Sequence, residues 1–257
     1  GQRTGTGYTS SDLDALLEDL GQMFEEPPDA PIFEDEEEGD EELEKLPSFD
    51  DVPATLWPSD NDYGIPQLDL TMQADLIDFP LACWGEEARG NKAGTVIFYA
   101  DDYKFHGLWR DPSKLAKTQC VTVAEVNFST HEAMPAAIAL WRTYQKRWLA
   151  RMWQHWGHRV LVDVNVEDVF WDLNLLGVPK GWRAYATRGY THHIDSMLEA
   201  LERCKEHAGR DDILFFVYGG GQAVKDVATE HGLWWYPEKM DLAKGRFSLE
   251  DSTIPTR

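Results

Sequence analysis

The chain has 257 residues, 42% of them hydrophobic and 12% aromatic, with a formal charge of −22. That is enough chain for one large domain or two small ones with a sizeable core, while no apolar run is long enough to span a bilayer and no secretory signal is present. Cys83, Cys120 and Cys204 make neither a disulfide framework nor a Cys-x-x-Cys metal clip, so a reducing cytoplasm is the expected setting.

The charge is not spread evenly. Residues 1–52 hold 18 Asp and Glu against Arg3 and Lys45, which places −16 of the −22 there and leaves only −6 for the rest. No strongly basic face is visible, which argues against tight DNA binding by this chain alone. Gly1 in place of methionine predicts either a processed chain or a piece of a longer protein.

Residues 10–24 read as a short amphipathic helix, because Leu13, Leu16, Leu17 and Leu20 recur at helical spacing. We take residues 1–24 as an N-terminal arm carrying that helix. Residues 25–62 follow as a linker. Its acidic run over 34–44 repels itself and buries too little apolar surface to fold. Residues 63–240 have globular composition, and 241–257 form a C-terminal tail.

Within the globular part, short apolar runs alternate with helical stretches. Strands are expected at Val96–Ala100, Val121–Val126, Val160–Val164, Arg183–Ala186 and Ile213–Tyr218, with a sixth at Leu233–Tyr236. Helical stretches are expected at 103–118, 133–156, 167–176, 193–207 and 222–230. Continuous apolar strands alternating with helices imply right-handed crossovers and a mainly parallel sheet. The fold class is therefore α/β, with five or six strands in an open doubly wound sheet or a partial TIM-like barrel. In the long helix, Trp141, Trp148 and Met152 mark a core-facing stripe. Arg142, Lys146, Arg147 and Arg151 are expected on its solvated face.

Ligands in parallel α/β sheets bind at the carboxyl ends of the strands. The polar residues there are the candidate site. Asp101 and Asp102 follow the first strand, Asn127 and Ser129 the second, and Asp163 and Asn165 the third. Thr187 and Arg188 close the fourth, and Tyr218 and Gly219 the fifth. Asp102, Asp163 and Asp101 are candidate catalytic acids, suited to proton transfer or to a hard cation such as Mg²⁺ or Mn²⁺. Asn127, Ser129, Asn165, Thr187, Arg188, Tyr218 and Gly219 are candidate substrate-binding groups. Gly219-Gly220-Gly221 precedes a helix and could hold a phosphate, although it fits no nucleotide-loop motif. Each carboxylate could equally serve as a local cap.

Phe98-Tyr99-Ala100-Asp101-Asp102-Tyr103, with Trp109 and Pro112, resembles the signature of a phage and mobile-element family, domain of unknown function 4417. The resemblance runs through Asn127-Phe128-Ser129, Met134-Pro135, Trp141-Arg142-Thr143-Tyr144, Leu176-Gly177-Val178-Pro179 and Val217-Tyr218-Gly219. It covers roughly residues 64–240. It implies a phage or plasmid association, hence the cytoplasm of a bacterial host, but no reaction. The family more often has Asp where this chain has Asn127. Gly5-Thr6-Gly7-Tyr8 and the acidic helix after it also resemble the stretch that follows a ParB-like domain in actinobacterial phage proteins. That implies a ParB-like domain upstream.

From these residues we expect an enzyme-like domain of DNA or nucleotide metabolism, acting by hydrolysis, phosphoryl chemistry or base modification. The alternative is a non-catalytic DNA- or partner-binding accessory attached to a ParB-like protein.

Overall fold

The computed structural model describes residues 53, 55–85 and 93–254. The expected helix over 10–24 and the acidic run over 34–44 lie outside the described residues.

Seven strands form one sheet: β1 Leu81–Cys83, β2 Thr95–Ile97, β3 Thr122–Ala124, β4 Arg159–Asp163, β5 Ala184–Arg188, β6 Leu214–Tyr218 and β7 Trp234–Tyr236. Neighbours in the sheet are neighbours in sequence, and every pairing is parallel. The strands are buried almost throughout, which is why they read as continuous apolar runs rather than alternating ones.

The helices are α1 Gly107–Arg110, α2 Ser113–Ala116, α3 Ala136–His155, α4 Trp171–Asn174, α5 Ile194–Ala208, α6 Gly221–Glu230 and α7 Lys239–Ala243. A strand order that never reverses sends every right-handed crossover the same way, so the helices collect on one face. The sheet then curls into a partial barrel and is not doubly wound.

The curl is visible in side-chain contacts. Tyr99, just beyond β2, stacks on Tyr218 at the end of β6, with ring centroids 5.9 Å apart. Those strands are four places apart in the sheet, so a flat sheet would hold the rings far from each other. The preceding residue, Phe98, points the other way and stacks on Trp153 of α3 at 5.7 Å. This is the alternation expected of adjacent residues in extended chain. Phe79 and Tyr236, near the two edge strands, also come within 6.1 Å.

The strand missing from the sequence reading is β1. It has only three residues and no periodic pattern, and it gains its definition from parallel pairing with β2. The segment before it closes the amino-terminal end of the sheet. Gln73 pairs with Val160 and accepts a hydrogen bond from the Arg183 amide (2.7 Å). The Asp78 amide donates to Thr95 (2.8 Å), and the Asp78 carboxylate accepts from Thr122 (2.8 Å). These partners sit at or near the first residues of β2 to β5, and Ile65, Leu68, Ala74 and Ile77 are buried among them.

The solvated face expected of α3 is only partly present. Trp148 is buried and Trp141 half-buried as the stripe requires, but Lys146 and Arg147 are buried too. The helix is covered on several sides. Trp109 of α1 packs on Trp141 and Trp148 (5.5 and 5.4 Å). The Trp148 indole donates to the Thr55 carbonyl (2.8 Å), and Gln154 bonds both the amide and the carbonyl of Asp69 (2.8 and 2.9 Å). A periodicity count sees one apolar stripe and cannot see a base that pairs inside the protein.

Candidate functional site

The carboxyl ends of the strands surround a cavity of about 570 Å³. Four consecutive strand-to-helix turns line it. Tyr99, Asp101 and Lys104 come from the turn after β2, and Asn127, Ser129 and Thr130 from the turn after β3. Asn165, Glu167 and Asp168 follow β4, while Thr187, Arg188, Tyr190 and His193 come from the end of β5 and its turn. A unidirectional parallel sheet places all these turns at one end, so residues far apart in sequence meet there without any special device.

The adjacent pair Asp101 and Asp102 divides its work. Asp101 is exposed, lines the cavity and lies 3.6 Å from Lys104. Asp102 does not line the cavity, nor does it cap the short helix that it opens. Its carboxylate accepts from the Ser129 hydroxyl (2.8 Å) and from the Ser129 amide (3.2 Å to the nearer oxygen). It therefore ties the turn after β2 to the turn after β3. Successive side chains diverge in direction, which explains why two neighbouring carboxylates do not share one site.

Asp163 is fully buried at the end of β4 and lies outside the cavity lining. The Tyr99 hydroxyl donates to one oxygen (3.2 Å), and Lys146 pairs with the other (3.2 Å). Burial pushes its pKa up to about 6; the Lys146 ammonium opposes that rise and the nearby Glu125 carboxylate adds to it. Burial and the Asp163 carboxylate hold the Tyr99 phenol well above its ordinary pKa, so it stays a donor.

Glu125 is the residue the sequence reading missed. It is 1% exposed, forms a buried ion pair with Arg147, and accepts from the Asp163 amide (3.1 Å). Arg147 also donates to the carbonyls of Leu176 (3.0 Å) and Asn174. Asn174 in turn donates to the Asp163 carbonyl (3.0 Å). The available signal was a lone carboxylate inside the apolar run Val121–Val126, which only a buried base could satisfy.

Among the remaining candidates, Asn127 and Asn165 line the cavity side by side, the Asn165 amide donating to Asn127 Oδ1 at 3.4 Å. Ser129 and Thr187 line it as well. Arg188 pairs with Glu238 (3.0 Å) and lies over the Tyr190 ring at 5.5 Å.

Tyr218 and Gly219 sit outside the lining. The Tyr218 ring supports Tyr99, and its hydroxyl accepts from the Lys239 amide (3.1 Å). The glycine turn serves close packing: a Cβ on Gly219 would fall 2.3 Å from Glu238 Cγ, and one on Gly220 would fall 2.4 Å from Val224. Among the described residues, no three His, Cys, Asp or Glu side chains are grouped so that they could hold a metal ion. No helix among them is long and apolar enough to cross a membrane.

Comparison with known proteins agrees with the resemblance to domain of unknown function 4417. The chain is similar to the Gene 1 protein of Mycobacterium phage D29, at 33% identity over 133 residues, covering 49% of this chain and 48% of that protein. It is also similar to the Gene 1 protein of Mycobacterium phage L5, at 30% identity over 131 residues, covering 48% of this chain and 56% of that protein. The chain thus spans about half the length of the curated relatives it matches. No solved structure matches it. A family match over residues 57–206 takes in β1 to β5 and every turn that lines the cavity, and the chain belongs to the family described as Domain of unknown function (DUF4417).

Proposed function

We propose that this is an enzyme of DNA or nucleotide metabolism in a phage or mobile element, and that its cavity takes a nucleotide-class ligand. The observation that carries this reading is the meeting, in one cavity, of amides, hydroxyls, carboxylates and an arginine from four consecutive turns. Cavities of this size with a few convergent polar groups are where small ligands bind. Arg188 supplies charge for a phosphate. Asn127, Asn165, Ser129 and Thr187 supply neutral hydrogen bonds.

Of the three candidate acids, Asp101 is the one that faces the cavity, and we assign acid–base work to it. Asp102 and Asp163 hold the surrounding turns in position. The reaction is hydrolysis, phosphoryl transfer or base modification. The test is a thermal-shift series with nucleoside mono-, di- and triphosphates, with and without Mg²⁺ or Mn²⁺, followed by chromatography for turnover. A ligand at 100 times its Kd stabilises the fold by about 2.7 kcal/mol. Asp101→Ala should keep that shift and lose turnover. No shift with any nucleotide would remove the proposal.

A second reading is a non-catalytic DNA- or partner-binding accessory attached to a ParB-like protein. It is favoured by one observation: Asp102 and Asp163 are both committed to internal hydrogen bonds. It expects binding without turnover and no effect of Asp101→Ala on any reaction.

A further inference from the structure

We infer that Asn127 and Asn165 together read the hydrogen-bonding edge of a nucleobase, presenting a donor beside an acceptor. This deepens the nucleotide reading of the cavity and rests on it. Asn127 is only 9% exposed, yet it lines the cavity. Its Oδ1 accepts from Asn165 Nδ2 at 3.4 Å, and the Asn165 backbone amide is held by Asp163 at 3.3 Å. Those bonds leave Asn127 Nδ2 and Asn165 Oδ1 without a partner among the described residues.

A carboxamide carries two donor hydrogens and an acceptor oxygen, so these free ends are available to a ligand in the cavity. The nitrogen and oxygen of an amide are exchangeable by rotation. Rotating both side chains keeps their mutual bond, with donor and acceptor reversed. The free ends are still one NH₂ and one C=O. The complement of that pair is a planar group with an acceptor next to a donor, which is what the pairing edge of a nucleobase offers. With one end of each amide used in their mutual bond, one asparagine supplies the donor and the other the acceptor for such an edge. Asp163 keeps the Asn165 backbone in place, so the reader is anchored to the buried network below it. Arg188 lies in the same cavity and would take the phosphate.

The test uses calorimetry on the full chain with the four ribonucleoside monophosphates and with ribose 5-phosphate, which has the anion and sugar but no base. At least one monophosphate should bind ten times or more tightly than ribose 5-phosphate. Methylation of the ring nitrogen on the pairing edge of that monophosphate should remove the advantage on the unmodified protein. Asn127→Leu and Asn165→Leu, with folding checked by circular dichroism, should each bring the ratio close to one.

Equal binding of ribose 5-phosphate and every monophosphate would overturn the base reader and leave the cavity as an anion site. Retention of the advantage by the methylated nucleotide would overturn it as well. Binding of none of the five would overturn this inference, and the nucleotide reading would fall with it if the di- and triphosphates also gave no thermal shift.

Discussion

At the residue scale, the buried groups make the sharpest claims. Burial pushes the Asp163 carboxyl up from its ordinary 3.8 to about 6. A carboxyl whose folded pKa is raised contributes its full stability below the unfolded value and loses it as pH rises through the folded one. Wild type should therefore lose stability relative to Asp163→Asn as pH rises from about 4 to about 6.5, measured by urea titration at each pH. A constant difference would mean that the carboxylate is not desolvated. Asp102 gives a second prediction. Asp102→Ala removes the clamp on Ser129 and should cost about 1–2 kcal/mol, seen as a lower urea midpoint at unchanged slope. The place of both residues at strand ends was legible in the sequence, but the contacts they make were not. Direction of the side chain decides between cavity and scaffold, and a sequence does not carry it.

At the element scale, α3 and the turn before α6 show what local pattern can and cannot give. The long helix was legible from its apolar spacing and from Pro135 at its start. The pairing of Lys146 and Arg147 inside the protein was not, because their acidic partners lie on β4 and beyond β3, in other parts of the chain. Glu125→Gln leaves the Arg147 charge buried without its carboxylate, which should cost about 3–5 kcal/mol in chemical denaturation. A loss under about 1 kcal/mol would show that the pair is solvated. The glycine turn allows an internal comparison. Gly220 has φ +84° and faces Val224 and the Gly189 backbone, while Gly232 has φ +66° and open space around its Cβ position. Gly232→Ala should cost about 1 kcal/mol of backbone strain, and Gly220→Ala clearly more, as read from melting temperatures. Equal losses would contradict the packing role assigned to this turn.

At the scale of the whole molecule, alternation of apolar runs and helices was enough to predict a parallel α/β fold. Six strands were legible because each is a continuous apolar run. β1 was not, since three residues framed by irregular chain carry no period. The choice between a doubly wound sheet and a partial barrel was equally hidden, because strand order is a property of tertiary pairing. The unbroken order from β1 to β7 decides it, and the same order gathers four turns around one cavity.

The central claim is that this cavity is where the protein meets its ligand. Hydrogen–deuterium exchange of the full chain, with and without a saturating nucleoside monophosphate, tests it directly. The account predicts added protection in the turns over 99–104, 127–130, 164–168 and 187–193, with the segment over 65–77 at the opposite end unchanged. Protection confined to the aromatic face of α3, or none at any nucleotide concentration, would contradict it.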